Sequence, residues 1–420
     1  MKYKIPFKLL STLLTGLVFI NTASAQHNNV SLDTLKIAYL GSSVPYGYGA
    51  TNHFGYTAMF SRILQQRADN GTGKVWKTVN IAVSGDNTIK VLNRWQRDLV
   101  PQKAKYVMYA LSLGNEGLHE FGKPRFDQFK ANMIKLMQMA RDSGYVPIVS
   151  NCYTRNDYTA ADYEYIKQMD VWIHTLDVPT INLLGAVDNS IGHWTNKYWF
   201  DALHPNDAGH LEMAYTIVPS LFDALSNKKP QPVWEDNSSI TWGMGKDKTG
   251  LIAFKPENRL HSFTNSITVK TNGKGRLLQL SDSSGNAGFI EITRKGFIKY
   301  TSPNKEIITG TTKINDGQWH KIVLTHYYAR GETDLYCDST QQGCASEKLV
   351  LINLNLGSKP MRKSIMAKNW LFYRSGMNQT EITAIAANQL LKSSLELYAP
   401  LDKSALKNNA QSTNTISWAQ

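Results

Sequence analysis

The sequence predicts an α/β protein in which a doubly wound parallel sheet is followed by an all-β sandwich. Over the first half of the chain, short apolar runs alternate five times with segments of helical spacing, a pattern typical of a parallel sheet with helices on both faces. A polar stretch with two prolines follows at 227–232 and indicates a linker. Beyond it, short runs of alternating hydrophobicity are separated by Gly, Asn, Asp and Ser, which favours an antiparallel sandwich.

The first predicted strand, at 35–41, leads directly into the sequence Gly41-Ser42-Ser43-Val44. An apolar run bounded by turn residues is typical of a buried strand. A serine on a tight glycine turn at the end of such a strand is where α/β enzymes hold a nucleophile. Gly-Ser-Ser is also ordinary turn chemistry, so the rest of the chain has to decide between the two interpretations.

The remaining elements of the first half follow in alternation. Apolar runs predict strands at 75–83, 106–113, 145–149 and 181–187, and helical spacing predicts helices at 56–68, 89–99, 126–140, 163–176 and 208–225. In such sheets a site lies outside the carboxyl ends of the strands. Because Ser43, Gly85 and Asn115 each follow the end of a predicted strand, we expect them to meet in one crevice.

Four short blocks occur in order along these elements. They are 41–44 (Gly-Ser-Ser-Val), 80–87 with Gly85, 113–116 (Leu-Gly-Asn-Glu) and 201–205 (Asp-Ala-Leu-His-Pro). On these blocks, residues 35–225 resemble the SGNH (GDSL-like) hydrolase family. The resemblance implies a flavodoxin-like doubly wound fold and serine esterase activity, with no metal and no cofactor.

The same resemblance implies a role for each block. Ser43 would be the nucleophile, His204 its general base, and Asp201 the carboxylate that orients the imidazole. The oxyanion of the tetrahedral intermediate would be stabilised by the backbone N–H groups of Ser43 and Gly85 and by the side-chain amide of Asn115.

Three positions in these blocks differ from the family pattern. Ser42 stands where the family has an aspartate, and it is a rival candidate for the nucleophile, although the motif position favours Ser43. Glu116 replaces the family's aspartate, and Leu113 replaces its glycine, on either side of Asn115.

Aromatic residues before the last block and after the first are candidates for substrate contacts. Such clusters more often belong to a core, but a ring can also line a sugar subsite with its flat apolar face. The predicted substrate-binding residues are Tyr46, Trp194 and Trp199. His193 and His210 flank the last block, and we expect both to be structural.

The second half carries a different set of motifs. They are 315–325 (Asn-Asp-Gly-Gln-Trp-His-Lys-Ile-Val-Leu-Thr), 334–338 (Asp-Leu-Tyr-Cys-Asp), 370–374 (Trp-Leu-Phe-Tyr-Arg) and 381–385 (Glu-Ile-Thr-Ala-Ile). On these, residues 237–400 resemble laminin-G-like (concanavalin A-like) jelly rolls. Such domains often bind glycans and some hold calcium, and no calcium ligand set is identified in this sequence. A packing or spacer module is the alternative interpretation.

Residues 1–25 form a predicted secretory signal peptide. Lysines at positions 2, 4 and 8 precede an apolar run at 9–20 that is too short to span a membrane, and Ala23-Ser24-Ala25 is a small-residue cleavage site. We expect a secreted or periplasmic protein, cleaved near Ala25 and without a membrane span. The predicted division is 1–25 signal peptide, 26–228 hydrolase domain, 229–236 linker and 237–420 jelly roll.

Cysteine usage and charge add two expectations. Cys337 and Cys344 are close enough in sequence to bridge in an oxidising compartment, and Cys152 is predicted to be a buried thiol. No metal site is predicted, because no Cys/His cluster has ligand spacing. The formal net charge is +13, with the excess mainly beyond residue 231, which favours an anionic partner such as an acidic polysaccharide or is simply a solvated basic face.

The leading hypothesis is therefore a secreted serine esterase that removes acyl groups, acetyl above all, from a polysaccharide or oligosaccharide. No nucleic-acid partner is predicted. One alternative is an esterase or lipase that acts on lipids or small esters. The lack of a long apolar lid-like segment in the sequence argues against this alternative. The other is a glycan-binding protein whose hydrolase domain is inactive.

Overall fold

The structure is a computed structural model that describes Met1 and residues 31–242, 250–357 and 364–419. Apart from its first residue, the predicted signal peptide at 1–25 lies outside the described residues. Within those ranges, no helix combines the length and the apolar character needed to cross a membrane.

A parallel sheet of five strands organises the first half of the chain, in the order β2-β1-β3-β4-β5. The strands are β1 (Asp33–Gly41), β2 (Lys77–Asn80), β3 (Ala104–Ala110), β4 (Val146–Ser150) and β5 (Thr180–Ile181). Ile37 of β1 pairs with Thr78 on one side and with Tyr106 on the other, both in parallel. This strand order is that of flavodoxin-like doubly wound sheets, so the predicted fold class of this half is confirmed.

Helices cover both faces of this sheet. They are α1 (Ser43–Tyr46), α2 (Tyr56–Asp69), α3 (Thr88–Asp98), α4 (Leu118–Phe121), α5 (Lys123–Asp142), α6 (Ala160–His174), α7 (Leu184–Val187), α8 (Asp207–Tyr215) and α9 (Leu221–Ser226). Since strand side chains alternate between faces, Leu40 and Val107 pack with α3, α5 and α6. Their neighbours Tyr39 and Met108 pack with α2, α8 and α9 on the opposite face.

Side-chain caps begin the two helices that flank the candidate site. The Asn87 side chain accepts a hydrogen bond from the N–H of Lys90 and starts α3. The Asn206 side chain accepts one from the N–H of Gly209 and starts α8. Each cap satisfies an N–H group that has no partner inside the helix, and so fixes where the preceding loop ends.

Two predicted elements differ from the structure. The predicted helix at 208–225 is divided into α8 and α9 around Pro219, which has no N–H and disfavours a helical conformation in the residue before it. The predicted strand at 181–187 is extended only to Ile181. The Asn151 side chain then accepts the N–H groups of Leu183 and Leu184, which turns the rest of this apolar run into α7.

The second half of the chain forms two antiparallel sheets. Their strands, with one helix after β17, are β6 (Ile240–Trp242), β7 (Ile252–Phe254), β8 (Phe263–Thr271), β9 (Gly275–Asp282), β10 (Ala287–Ile292), β11 (Phe297–Thr301), β12 (Ile307–Lys313), β13 (Trp319–Tyr327), β14 (Glu332–Cys337), β15 (Thr340–Ser346), β16 (Leu351–Leu356), β17 (Ile365–Tyr373), α10 (Gln379–Ala386), β18 (Leu395–Ala399) and β19 (Ile416–Trp418). One sheet has the order β12-β11-β10-β9-β16-β7-β19, and the other has β15-β14-β13-β8-β17-β18 with β6 also on β17. The prediction of an all-β second half is confirmed.

The core of this half lies between the two sheets. Leu278 and Ile290 of the first sheet belong to the same buried cluster as Ile267 and Leu324 of the second. The outer face of the second sheet is covered by α10, whose Ile382 packs in a separate cluster. Both sheets therefore alternate apolar side chains in the way that a sandwich requires.

Buried polar contacts join the sandwich to the parallel-sheet half. The imidazole Nε2 of His174 lies 2.6 Å from Glu381 Oε1, and the Asn182 amide donates to the same oxygen at 2.7 Å. The fully buried Arg374 donates to the Tyr215 carbonyl at the end of α8 at 2.9 Å. Consistent with these contacts, residues Leu32–Gln420 form one compact unit.

The sandwich also covers the edge of the parallel sheet. The N–H of Ser394 donates to the carbonyl of Thr180 in the edge strand β5 at 3.0 Å. The N–H of Asn182 donates to Ser394 Oγ at 2.9 Å. Backbone groups at this end of β5 are therefore paired by a segment that lies more than two hundred residues later in the chain.

The predicted linker at 229–236 runs along the surface of the sandwich. Lys229 donates to the Ser412 carbonyl at 2.6 Å, and the Trp234 ring stacks on Tyr398 with 5.9 Å between ring centroids. The N–H of Glu235 donates to the Tyr398 hydroxyl at 2.6 Å. These contacts attach the segment to the sandwich along its length.

The disulfide considered between Cys337 and Cys344 is not formed, and both thiols are free. In the register of β14 and β15, Cys337 pairs with Thr340, whereas Cys344 pairs with Asp334. Cys337 is buried and Cys344 is exposed, so the two side chains do not approach each other as a disulfide requires. Cys152 is also free and lies buried, as expected.

Candidate active site

Ser43 lies directly beyond the carboxyl end of β1, as the first residue of α1. The turn that places it depends on Gly41, because a Cβ atom there would lie 2.1 Å from the Ala110 carbonyl oxygen of the neighbouring strand. Gly47 ends the four-residue helix with a φ of 100°, a left-handed conformation that favours glycine. The glycines around Ser43 are therefore required by close approach and backbone conformation.

His204 and Asp201 meet Ser43 at this edge of the sheet. The Nε2 atom of His204 lies 2.9 Å from Ser43 Oγ. On the other side of the ring, Nδ1 lies 2.8 Å from Asp201 Oδ1 and 3.0 Å from Oδ2. A carboxylate at Nδ1 holds the proton there, which leaves Nε2 free to accept the proton of the serine hydroxyl.

The loop that carries this pair is held by Asp201 itself. Its Oδ1 atom accepts the backbone N–H groups of Leu203 at 2.8 Å and of His204 at 2.9 Å. Burial raises the pKa of Asp201, but the hydrogen bonds from His204 and Leu203 outweigh that effect, and the net pKa lies below the ordinary value. Asp201 is therefore ionised at neutral pH, as an orienting carboxylate must be.

Ser42 is fully buried, and the structure brings Ser43 rather than Ser42 to His204. Among the described residues, the only serine hydroxyl that contacts the His204 ring is that of Ser43. Adjacent residues at the start of α1 point in different directions, so one of the two serines faces the crevice and the other faces the core.

Gly85 and Asn115 lie in the two loops next to Ser43. The N–H of Val83 donates to the Gly41 carbonyl at 3.0 Å, which attaches the Gly85 loop to the end of β1. Gly85 has a φ of 76°, and nothing lies within 4 Å of the position that its Cβ would occupy. Asn115 follows β3 in a short 3₁₀ turn, and its amide donates to the Asp86 carbonyl at 2.9 Å.

Further contacts fix the orientation of the Asn115 side chain. Arg155 donates to Asn115 Oδ1 at 3.4 Å, while one amide hydrogen of Asn115 bonds to Asp86. Since a side-chain amide has two hydrogens, one remains for a third group. The N–H of Gly85 likewise has no acceptor among the described residues. The two loops thus present two N–H donors beside an open space.

Two buried side chains, Arg94 and Glu116, hold these loops, and of the two only Arg94 lies outside the sequence motifs. Arg94 on α3 donates to Asp86 at 2.6 Å, to the Ile81 carbonyl at 2.9 Å and to the Gly41 carbonyl at 3.4 Å. Glu116 accepts the N–H of Thr88 at the start of α3. The glutamate that replaces the family's aspartate therefore has a structural role at a helix N-terminus, where a negative charge is favourable.

Exposed aromatic rings lie in the segment that follows Ser43 and in the loop that carries His204. The Tyr48 ring lies 4.3 Å from the His204 ring between centroids, and it also contacts Phe200 at 6.2 Å. Tyr46 is 41% exposed and Trp199 is 42% exposed, so both remain available to a ligand. Two of the three predicted substrate-binding residues therefore lie on the accessible surface.

Trp194 is the exception and corrects the third prediction. It is 2% exposed, its ring stacks on Tyr153 at 5.7 Å, and its Nε1 donates to the Ala202 carbonyl at 3.2 Å. The tryptophan supports the loop before His204 from the core side, because its ring packs on Tyr153 and its N–H is hydrogen-bonded to that loop. No face of its ring remains for a substrate.

The two flanking histidines have structural partners. Nε2 of His193 lies 2.9 Å from the Tyr158 carbonyl. The buried His210 accepts the N–H of Tyr56 at Nδ1 and donates to the Tyr48 carbonyl from Nε2. Burial lowers the pKa of His210 to about 4, so it is neutral at pH 7.

Comparisons with known proteins give one family match and several similar solved structures. Residues 39–211 match the GDSL-like lipase/acylhydrolase family. Among solved structures, a catalytic mutant of Axe2, an acetylxylan esterase from Geobacillus stearothermophilus, is 17% identical, covers 44% of this chain and 92% of its own, and has a TM-score of 0.37. A SAP-like pentraxin from Limulus polyphemus is 11% identical, covers 37% of this chain and 84% of its own, and has a TM-score of 0.29. No curated protein matches the chain in sequence.

Proposed function

We propose, from the match of residues 39–211 to the GDSL-like lipase/acylhydrolase family, that the protein is a serine esterase that removes acyl groups, acetyl above all, from a polysaccharide or oligosaccharide. The observation that carries the proposal is the continuous contact from Asp201 through His204 to Ser43, at 2.8 Å and 2.9 Å. A serine hydroxyl is a weak nucleophile until a base accepts its proton, and this contact supplies the base.

The proposed reaction has two halves. His204 Nε2 takes the hydroxyl proton as Ser43 Oγ bonds to the ester carbonyl carbon, and the negative charge moves to the carbonyl oxygen. The carbon–oxygen bond to the sugar then breaks, and His204 returns the proton to the sugar oxygen. Water attacks the acyl-serine with His204 again as the base, which releases the carboxylic acid and restores the hydroxyl.

The oxyanion of each tetrahedral intermediate is assigned to three donors. They are the backbone N–H groups of Ser43 and Gly85 and the free amide hydrogen of Asn115. Donors that are already oriented for the developing charge stabilise the transition state by several kcal/mol in enzymes of this kind. Arg155 is a positioning residue in this proposal, because its contact at 3.4 Å limits the rotation of the Asn115 amide.

The carbohydrate part of the proposal rests on the surface around His204. Trp199 and Phe200 are exposed in the loop that carries His204, Tyr46 is exposed on the helix that starts at Ser43, and aromatic faces are the surfaces on which sugar rings stack. The basic excess beyond residue 231 makes an acidic glycan the second substrate to test. The sandwich is proposed to bind glycan, and export is proposed from residues 1–25, whose sequence supports cleavage near Ala25.

The test compares two adjacent serines in the mature protein. Activity is measured on a chromogenic acetate, on longer-chain esters and on acetylated glycans for the wild type, Ser43→Ala and the matched control Ser42→Ala. We expect Ser43→Ala to reduce kcat by about a thousandfold or more, and Ser42→Ala to retain most of the activity.

Other outcomes would contradict the proposal. Activity that survives in Ser43→Ala would remove this serine from the mechanism. Activity confined to long-chain esters would favour a lipase, and glycan binding without any ester hydrolysis would favour a binding protein with an inactive hydrolase domain.

A further inference from the structure

A cluster of three different side chains lies at the end of a hairpin in the sandwich, between β13 and β14. Antiparallel pairing aligns Ile322 with Cys337, and the N–H of Asp338 donates to the Lys321 carbonyl at 2.7 Å. This register brings His320, near the start of β13, beside Cys337 and Asp338 at the end of β14. The three ligand-type atoms, one from each side chain, all lie within 4.8 Å of one another.

The separations between these atoms suit a small tetrahedral metal ion. Nδ1 of His320 lies 3.1 Å from Asp338 Oδ2, and the Cys337 sulfur lies 3.8 Å from the same oxygen. Ligand atoms around a tetrahedral zinc ion are roughly 3.2 to 3.7 Å apart, given zinc–ligand distances of about 2.0 to 2.3 Å. Small side-chain movements would therefore bring all three atoms into coordination range.

A second carboxylate orients the imidazole for this role. Nε2 of His320 lies 3.1 Å from Asp316 Oδ1, on the side of the ring away from Asp338. Histidines that bind metals usually donate their other N–H to a carboxylate, which fixes the ring and raises its basicity. With Asp316 as that acceptor, Nδ1 is the nitrogen that faces Cys337 and Asp338.

The three candidate ligands differ in burial, and the cluster is open to solvent on the side of Asp338. The Cys337 side chain is buried in the core of the sandwich, and the His320 side chain is 13% exposed. The Asp338 side chain is 50% exposed, and its Oδ1 accepts the N–H of Lys321 at 2.9 Å, which leaves Oδ2 for the cluster. A water molecule can complete four-coordination from the solvent side.

We propose that His320, Cys337 and Asp338 bind a divalent transition-metal ion of the zinc type, with Asp316 as the residue that orients His320. One sulfur and one nitrogen ligand favour zinc over calcium and magnesium, which require oxygen ligands. The sequence predicts no metal site because the histidine and the cysteine are seventeen positions apart. Only the pairing of β13 with β14 brings them together. The ion would join the ends of β13 and β14.

The experiment uses the full mature chain with its thiols reduced, and cobalt(II) as the spectroscopic probe for zinc. We expect one cobalt ion per chain and a near-ultraviolet thiolate-to-cobalt absorption band. Cys337→Ser should abolish the band. The matched control is Cys344→Ser, which removes the exposed thiol of the next strand and should leave the band unchanged.

Two carboxylate variants keep the proposal testable if the buried Cys337→Ser variant does not fold. Asp338→Asn, at a half-exposed position, should weaken cobalt binding at least tenfold. Asp316→Asn should weaken it by about tenfold to a hundredfold and retain the band, because this residue acts through His320. A wild-type chain without the band, or a band that persists in a folded Cys337→Ser or is indifferent to Asp338→Asn, would overturn the proposal.

Discussion

At the scale of single residues, one oxygen atom of Asp201 explains how a carboxylate three residues before His204 can orient the imidazole. Oδ1 accepts the His204 ring at Nδ1 and also two backbone N–H groups of the same turn. The conformation of the turn and the orientation of the imidazole are therefore fixed together. A motif this local can be recognised in a sequence, because its geometry depends on almost nothing outside it.

His210 supports the same region from the core and leads to a prediction about pH. Its folded-state pKa of about 4 lies below the value of an exposed histidine, so the unfolded chain binds more protons between the two values. The stability that depends on neutral His210 is present above about pH 6.5 and is lost as the pH falls towards 4. Between pH 7 and pH 4.5 this loss amounts to about 2 to 3 kcal/mol.

The measurement is the free energy of unfolding in urea at both pH values. His210→Gln should be less stable than the wild type at pH 7, because its contacts to Tyr48 and Tyr56 change, but it should lose less stability on acidification. The exposed His53→Gln variant is the matched control and should keep the wild-type pH slope. An unchanged slope in His210→Gln would show that this histidine is not held neutral.

Trp194 marks the limit of sequence analysis at this scale. A tryptophan shortly before the block at 201–205 is compatible with a sugar subsite or with the core, and only its burial distinguishes the two. Its ring contact with Tyr153, forty-one residues earlier, comes from packing that no local pattern encodes, and its hydrogen bond to the Ala202 carbonyl depends on the fold of the loop between them. Trp199, five residues later, has the same chemistry and is exposed.

At the scale of elements, the Gly85 loop gives a second prediction. Gly85 and Gly71 both have positive φ values, 76° and 67°, and both have open space where a Cβ would lie. Each Gly→Ala change should therefore destabilise the fold by about 1 kcal/mol through backbone strain. Only Gly85→Ala should reduce kcat/KM, by about tenfold or more, because the strain at position 85 would displace the backbone N–H that is assigned to the oxyanion.

The comparison of these two variants separates the effect of the Gly85 loop on activity from the effect of backbone strain on stability. The unfolding midpoint and the kinetics on a chromogenic acetate are measured for both. Equal activity in the two variants would remove Gly85 from the oxyanion assignment, whereas equal stability with unequal activity supports it.

The elements that the sequence predicted well are those with strong periodicity and clear ends. The strands before Ser43 and Asn115 and the helices between them agree with the structure to within a few residues. The run at 181–187 was assigned wrongly, because an apolar segment of this length fits a buried strand or a buried helix equally well. The side chain of Asn151, thirty residues earlier, decides the outcome.

At the scale of the whole molecule, the two halves share buried polar groups, and this predicts how they unfold. His174 and Asn182 of the first half both contact Glu381 of the second. All three side chains are buried, so water cannot take the place of a lost hydrogen-bond partner. Separation of the halves would leave these groups unsatisfied, which costs about 1 to 3 kcal/mol for each. We therefore expect one cooperative transition for residues 26–420 in calorimetry.

The variant Glu381→Gln should lower the temperature of that single transition and leave it single. Glu332→Gln, at a partly exposed position of β14, is the control and should change it little. Two resolved transitions in the wild type would contradict shared stability. The sequence predicted both architectures but not this dependence, since contacts between residues 174 and 381 have no signature in either segment alone.

The pairing of Thr180 and Asn182 with Ser394 has a consequence for biosynthesis. The ribosome releases the parallel-sheet half long before residue 394 is made, so this end of β5 remains unpaired while the rest of the chain is translated. An uncovered sheet edge recruits other strands, and the nascent polypeptide is therefore exposed to aggregation during that interval. The soluble yield of the protein in a heterologous host should accordingly depend on the rate of translation and on chaperones that bind the uncovered edge of β5.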